Sequence, residues 1–179
     1  MSSVQKILPH YTYDDWVHWE GSWELIDGFP IAMSPTPVPK HQQVAAALRA
    51  EFYHELKKCR KCTVYDPLDY VIAKDTILVP DILIVCGKIE KKYLDFPPVL
   101  VAEILSPSTA LRDKHTKYQL YEQQGVKYYL IVDSDKSTIE IFELVKGKYM
   151  LQTLGKGEVF DFSFEKDCSA RISFNEILQ

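Results

Sequence analysis

The chain has 179 residues, of which 46% are hydrophobic and 26% are charged, and its formal net charge at pH 7 is -4. This length and apolar content suit one domain with its own core, which we expect to span residues 1–179. The net negative charge argues against a strongly basic nucleic-acid binder, although it does not exclude an enzyme with a local basic groove. No segment approaches the roughly 18 apolar residues of a membrane span, and the N-terminus lacks a secretory apolar core, so we expect a cytoplasmic protein.

The four cysteines are Cys59, Cys62, Cys86 and Cys168. Because nothing in the sequence indicates an oxidising compartment, we expect them to be reduced thiols. Cys59 and Cys62 form a lone CxxC, and a structural zinc site needs about four ligands, so His54 and a distant cysteine would have to join them. The favoured interpretation is a loop at the end of a helix, with zinc left open.

The N-terminal third begins with the segment "TYDDWVHWE", which predicts a short helix capped by Thr12. In "WELIDGFPIAM", apolar residues flank Asp27 and Gly28, a pair that tolerates positive φ, so this segment predicts a β-hairpin. The following "SPTPVPK" is too rich in proline for regular structure and predicts a loop.

The most regular helical pattern lies between residues 41 and 58, where apolar side chains recur every four positions. They are Val44, Leu48, Phe52 and Leu56. Two β-rich runs follow, "CTVYDPLDYVIA" and "TILVPDILIVC", and after a basic loop comes an apolar strand around Glu103. These runs predict a meander of about three strands.

The second half begins with a helix that starts at Ser108 or Thr109 and ends at Gly125. "KYYLIVD" predicts a buried strand, and the alternating pattern around Gly147, at about 138–153, predicts a half-exposed hairpin. The element order therefore predicts an α/β (α+β) domain with a mixed β-sheet flanked by α-helices, an N-terminal hairpin and a C-terminal hairpin.

Two acidic residues lie in or beside apolar strands, where an ionised carboxylate is costly unless a partner is present. Glu103 lies within "VLVAEIL", and Asp81 follows Pro80 one strand earlier. Two carboxylates brought together in a low-dielectric site repel each other, so they either take up a proton or share a cation. We expect Asp81 and Glu103 to share Mg²⁺ (or Mn²⁺), although backbone N–H groups or a lysine could also satisfy buried carboxylates.

The helix after Glu103 places Asp113, Lys117 and Tyr121 four residues apart, on one stripe. Lys117 can therefore project back over the ends of the strands, where a positive charge would assist phosphodiester hydrolysis. The alternative is an exposed ion pair between Asp113 and Lys117, worth a few tenths of a kcal/mol.

An ordered series of motifs covers nearly the whole chain. The motifs are "ELIDG" at 24–28, His41 at the start of a helix, "VPD" at 79–81, "EILSPSTA" at 103–110, D-x-x-x-K-x-x-x-Y-x-x-x-G-V at 113–126, and "YYLIVD" at 128–133. This series resembles the Uma-two family, a mainly bacterial group of the PD-(D/E)xK restriction-endonuclease-like superfamily.

The resemblance implies a restriction-endonuclease-like core of four or five mixed strands with helices on both sides. It implies that Asp81 and Glu103 are the two motif acids and the metal ligands. The motif lysine lies two residues after the second acid, but that position is Leu105 here. Lys117 is the natural replacement, as a lysine migrated to the adjacent helix, and Glu24 resembles an additional acid of the metal shell.

Three further residues are candidates for supporting positions around these groups, namely His41, Asp113 and Tyr121. His41 could instead be a solvated residue at a helix end. The resulting hypothesis is a Mg²⁺-dependent endonuclease that acts on nucleic acid, with DNA as the expected substrate. The alternative is a catalytically inactive nuclease-derived fold that serves oligomerisation or partner binding. The exposed C-terminal hairpin could be covered by a second subunit, so we expect a homodimer or a higher homo-oligomer.

Overall fold

The computed structural model describes residues 8–33, 38–106, 109–155 and 158–178. Most of the predicted proline-rich loop, and Ser108 as a candidate helix cap, lie outside these ranges. The described helices are α1 (Tyr13–Trp16), α2 (Pro39–Leu56), α3 (Ala110–Arg112) and α4 (Tyr118–Gln124), with a π-helical turn at Asp113–Lys117. The described strands are β1 (Trp23–Ile26), β2 (Phe29–Ala32), β3 (Cys62–Tyr65), β4 (Tyr70–Ala73), β5 (Thr76–Leu78), β6 (Ile82–Cys86), β7 (Leu100–Ile104), β8 (Tyr128–Asp133), β9 (Thr138–Val145), β10 (Lys148–Gln152), β11 (Val159–Glu165) and β12 (Cys168–Ser173).

The central sheet is mixed and has the strand order β10-β9-β8-β7-β6-β3. Strands β7 and β8 are parallel, and the other neighbours in this sheet are antiparallel. The parallel pair requires a crossover, which α3, the π-helical turn and α4 provide. The predicted α+β domain with a mixed sheet is therefore confirmed.

A second, smaller sheet has the order β2-β1-β5-β4. The predicted hairpin of β1 and β2 is present, with positive φ at Asp27 and Gly28. The predicted meander is wrong, because each β-rich run divides between the two sheets. The first run gives β3 and β4, and the second gives β5 and β6. The divisions fall at Pro67 and Pro80, which lack the N–H group that a continuing ladder requires.

The helix predicted from Ser108 or Thr109 to Gly125 is interrupted by the π-helical turn, although it does end at Gly125 with φ of 79°. The predicted C-terminal hairpin is present as β9 and β10. A further hairpin, β11 with β12, was not predicted. It packs Phe162 against Phe52 of α2, with ring centroids 5.3 Å apart.

Two apolar clusters cover the two faces of the central sheet. The first joins α2 and the β11–β12 hairpin to side chains such as Leu100, Ala102 and Ile104 of β7. The second joins α4 and the small sheet to alternate residues such as Val101. Helices therefore lie on both sides of the sheet. None of the helices that the structure describes has the length and apolar character needed to cross a membrane.

The cysteines correct the expectation of reduced thiols, because disulfides join Cys59 to Cys168 and Cys62 to Cys86. Register explains the second pair, since Cys62 on β3 lies directly opposite Cys86 on β6. The first pair links the end of α2 to the start of β12. This pair was not expected, because the β11–β12 hairpin that carries Cys168 was not predicted.

Candidate active site

A cavity of about 280 Å³ lies beside the end of β7, between the small sheet and the π-helical turn. It is lined by most of the charged residues that the sequence motifs single out. These are Glu24, His41, Asp81, Glu103, Asp113 and Lys117, joined by Arg112. Tyr121 lies behind them in the buried core.

The pairing of β6 with β7 brings Asp81 and Glu103 to the same part of the sheet. Ile82 pairs with Ala102, so Asp81, which comes just before β6, lies level with Glu103. The Asp81 carboxylate accepts a hydrogen bond from the backbone N–H of Ile104 at 2.8 Å. The register therefore places these two acids opposite each other at the ends of neighbouring strands, and their role as metal ligands stays a prediction.

Lys117 lies at the centre of the acidic cluster. Its Nζ atom is 2.8 Å from Glu24 Oε1, 2.9 Å from Glu103 Oε1 and 3.5 Å from Asp113 Oδ1. The Lys117 side chain is only 3% exposed. The alternative of an exposed Asp113–Lys117 pair is therefore wrong, because the π-helical turn directs both side chains inward.

Tyr121 adds a second donor to the same carboxylate. Its hydroxyl donates to Glu103 Oε1 at 2.8 Å, one α-helical turn after Lys117. The stripe predicted from the four-residue spacing is present, since Asp113, Lys117 and Tyr121 are all buried. Both donors therefore contact the same oxygen of Glu103, Oε1.

Glu24 reaches the cluster from β1 of the small sheet and is fully buried. Its Oε1 accepts the backbone N–H of Val79 at 3.0 Å in addition to the Lys117 contact. Its Oε2 lies 3.6 Å from Arg112 Nε. The N-terminal hairpin thus contributes an acid to the same site as the central sheet.

Burial and charge act in opposite directions on the pKa values of this cluster. Burial raises the pKa of Glu103 well above its usual value and also raises the pKa of Asp113. Burial disfavours the charged form of Lys117, but the carboxylates of Glu103, Glu24 and Asp113 outweigh it and raise the Lys117 pKa. Lys117 is therefore an ammonium at neutral pH.

His41 lies near the start of α2, and its Nε2 atom is 3.3 Å from Asp81 Oδ2. The hydrogen bond with Asp81 raises the pKa of His41 despite partial burial. Its Nδ1 atom is buried and has no hydrogen-bond partner among the residues that the structure describes. The alternative of a solvated helix-end histidine is wrong, since the side chain is 11% exposed and lines the cavity.

Arg112 is the cavity residue that sequence reasoning missed. Its side chain is 19% exposed, and it enters the site from α3 beside Glu24. A signal was available, because Arg112 directly precedes Asp113 and lies in the helix that was expected to supply Lys117. Leu105 also lines the cavity and packs against the apolar cluster, so an apolar residue occupies the place of the motif lysine.

The donor set suits a hard divalent cation, because the four central acids offer carboxylate oxygens. Glu24, Asp81, Glu103 and Asp113 outnumber the two permanent cations, Lys117 and Arg112. Glu24 Oε2 and Asp113 Oδ1 are buried without a hydrogen-bond partner among the described residues. Within the same residues, no three carboxylate or imidazole ligand atoms in this cavity lie within 4.8 Å of one another. Lys117 therefore occupies the centre of the acids, and a cation would approach from the cavity side.

Comparisons with known proteins agree with this fold. The model of the Uma2 family, described as "Putative restriction endonuclease", matches residues 11–165. The fold is similar to a crystal structure from Anabaena variabilis ATCC 29413, described as "a putative nuclease belonging to DUF820". The TM-score is 0.76 at 18% sequence identity, and the match covers 93% of this chain and 97% of that chain. The comparison with curated proteins finds no match. The predicted nuclease-like fold is confirmed.

Proposed function

We propose that this chain, which belongs to the Uma2 family, is a divalent-metal-dependent endonuclease that hydrolyses phosphodiester bonds, with DNA as its substrate. The family description supports a nuclease function in general, and it names no metal ion. The observation that carries the finer proposal is the convergence of Asp81, Glu103 and Lys117 on one cavity. Mg²⁺ or Mn²⁺ is the proposed ion, because both accept carboxylate oxygens and keep sites for water and phosphate.

In this proposal Asp81 and Glu103 hold the metal ion, and Glu24 completes the negative surroundings. The excess of carboxylates over permanent cations supports a divalent ion, since it would relieve their mutual repulsion. When bound, the ion would polarise a phosphoryl oxygen and lower the pKa of a bound water. His41 would position Asp81 through their 3.3 Å contact.

Lys117 would act as a cation rather than as a base. Its raised pKa keeps it protonated at neutral pH, so its ammonium can orient a water molecule and stabilise charge on the scissile phosphate. Glu103, Glu24 and Asp113 would hold this ammonium in place. Lys117 would thus supply the charge that Leu105 cannot.

Arg112 is the proposed second contact to the phosphate. A guanidinium presents its N–H groups as a planar fork that matches two phosphate oxygens. The position of Arg112 on the cavity wall, next to Glu24, supports this role. Lys117 and Arg112 thus provide two cations in the cavity of a chain whose net charge is negative.

A second candidate function is the inactive nuclease-derived fold. One observation favours it: the Lys117 ammonium contacts Glu24, Glu103 and Asp113 and so neutralises part of the acidic cluster without a metal.

We also propose that the chain forms a homodimer. Strand β10 is an edge of the central sheet, and its Met150 and Leu151 side chains are exposed, which supports coverage by a second subunit.

The test is cleavage of supercoiled plasmid DNA in the presence of Mg²⁺ or Mn²⁺. We expect the wild type to nick or linearise the plasmid only with metal present, and Asp81→Asn and Glu103→Gln to abolish cleavage. Lys117→Met should lower the rate by about 10²–10³-fold, the range for removal of one donor to the reacting group.

The matched control is Glu90→Gln, which removes an exposed carboxylate outside the cavity. This variant should cleave like the wild type. Absence of metal-dependent cleavage of both DNA and RNA by the folded wild type would favour the inactive fold. Cleavage that survives Glu103→Gln would exclude this cavity as the active site.

A further inference from the structure

The four cysteines form one sulfur cluster, although they come from four separate places in the fold. Cys59 follows α2, Cys62 begins β3, Cys86 ends β6 and Cys168 begins β12. The Sγ atoms of Cys59, Cys62 and Cys168 all lie within 4.8 Å of one another, across two different disulfides. Cys86 is bonded to Cys62, so the fourth sulfur lies beside one member of this group.

The three mutually close sulfurs, those of Cys59, Cys62 and Cys168, have separations under 4.8 Å, which are compatible with thiolates that share one metal ion. In a tetrathiolate site a Zn²⁺ ion is bound by four sulfurs at about 2.3 Å, which places the sulfurs about 3.8 Å from one another. Cys59 and Cys62 have the CxxC spacing that supplies two adjacent ligands in many zinc sites. Cys59, Cys62 and Cys168 are buried, and Cys86 is half-buried, so the cluster is shielded from solvent.

The charge around the cluster also favours a bound anionic complex. Basic residues bracket the CxxC and are exposed around it, namely Lys57, Lys58, Arg60 and Lys61. Four thiolates and one Zn²⁺ carry a net charge of -2, which cations near the cluster stabilise. Positive charge also lowers the pKa of nearby thiols and so favours the thiolate form that metals require.

We infer that the reduced chain binds one Zn²⁺ ion through Cys59, Cys62, Cys86 and Cys168, and that the two disulfides are the oxidised form of the same site. A dithiol reductant gives up two electrons and two protons to each disulfide, becomes a disulfide itself and leaves two thiols on the chain. Binding of Zn²⁺ to four thiols then releases four protons. The site has a structural function, because it joins α2, the central sheet and the β11–β12 hairpin at one point.

The experiment uses the full chain, reduced with a phosphine under nitrogen, freed of metal with a chelator that is then removed, and titrated with Co²⁺. Tetrahedral Co²⁺ bound to thiolates shows sulfur-to-metal charge-transfer bands and visible d–d bands. We expect these bands to saturate at one equivalent of Co²⁺ and to disappear when one equivalent of Zn²⁺ is added. The oxidised chain should show none of them.

Variants test the ligand assignment. Cys168→Ser and Cys86→Ser should lose the four-thiolate spectrum. His54→Ala is the matched control, because His54 lies near the CxxC in sequence but is exposed, and it should keep the wild-type spectrum and stoichiometry. If a serine variant fails to fold, alkylation of the reduced wild type decides the question, since Zn²⁺ should protect four thiols from iodoacetamide.

Three results would overturn the inference. The reduced wild type could show no saturable thiolate bands with Co²⁺, a folded Cys168→Ser variant could keep the full spectrum, or Zn²⁺ could leave all four thiols equally open to alkylation. Each result would leave the cluster as two disulfides only. None of them depends on the nuclease assay, because the cluster and the acidic cavity share no residue.

Discussion

The two faces of β7 differ sharply in chemistry. On one face Leu100, Ala102 and Ile104 pack against α2 in an apolar cluster. On the other face Glu103 is buried against Lys117 and Tyr121 beside a cavity. The first face is stabilised by apolar burial, which is independent of pH. The second face buries charges whose desolvation is offset only while every partner is in place.

This contrast identifies the side of the sheet that serves function. Apolar residues could fill both faces of a central strand, and that arrangement would avoid the desolvation of Glu103. A strand that retains a buried carboxylate, an ammonium and a tyrosine hydroxyl beside a cavity is typical of sites where pKa values are perturbed for chemistry.

The largest effect is expected from Lys117→Met, which leaves the carboxylates of Glu24, Glu103 and Asp113 without their shared cation. Removal of one partner from a buried ionic cluster costs about 3–5 kcal/mol of unfolding free energy. Urea denaturation at pH 7 measures it. The control is Lys114→Met, whose exposed pair with Glu140 is worth about 0–1 kcal/mol. Equal stabilities for the two variants would contradict the account of the charged face.

On the apolar face, Leu48→Ala removes a fully buried side chain of α2. Truncation of a buried leucine costs about 2–5 kcal/mol, because apolar contacts are lost and a cavity remains. We expect this loss of stability to be the same at pH 5 and pH 8, and with or without Mg²⁺. Thermal unfolding under these four conditions provides the measurement, and a strong dependence on pH would show that the two faces are not independent.

Tyr121→Phe should have a smaller effect, since it removes only the hydroxyl that donates to Glu103 Oε1. Loss of a donor to a buried, charged acceptor costs about 1.5–3 kcal/mol. Denaturant unfolding gives the size of this loss, with Tyr53→Phe, an exposed tyrosine on α2, as the control. No loss of stability in Tyr121→Phe would mean that this hydrogen bond does not help to hold Glu103.

The subtlest effect is the pH dependence due to Glu103. Its pKa in the folded chain is raised by burial, so the folded state binds this proton more tightly than the unfolded state does. Its contribution to stability is therefore largest at low pH and declines as pH rises from about 4.5 through the raised folded value. Glu103→Gln should remove that decline, as measured by unfolding free energies between pH 5 and pH 8. An unchanged slope would contradict the raised pKa.

Local sequence patterns predicted those parts of the fold whose signals lie within one segment. The four-residue period of α2, the Asp27-Gly28 turn and the alternation around Gly147 each correspond to an observed element. The pairing partners of the strands were harder to foresee. The runs at 62–73 and 76–86 look continuous in hydropathy, and their division between two sheets depends on Pro67, Pro80 and long-range pairing.

The candidate site was predictable where an acidic residue lies in or beside an apolar strand, because an ionised carboxylate is costly to bury there. Glu103 and Asp81 were found because carboxylates interrupt apolar strands, and Lys117 because helical spacing places it over them. The π-helical turn, which directs Asp113 and Lys117 inward, leaves no sequence signal. Arg112 was missed although it directly precedes Asp113 in the same predicted helix. The cysteine pairs depend on contacts across 109 and 24 residues, which local patterns cannot reveal.

The proposed metal site on the charged face of β7 is tested by a calorimetric titration of Mg²⁺ and Mn²⁺ into the wild type and into an Asp81→Ala, Glu103→Ala double variant. We predict that the wild type binds the ion in the cavity and that the folded double variant does not. The Glu90→Gln control should bind like the wild type. If the wild type binds neither ion, even with DNA present, the metal-dependent nuclease is contradicted, and the charged face of β7 is a structural cluster held together by Lys117.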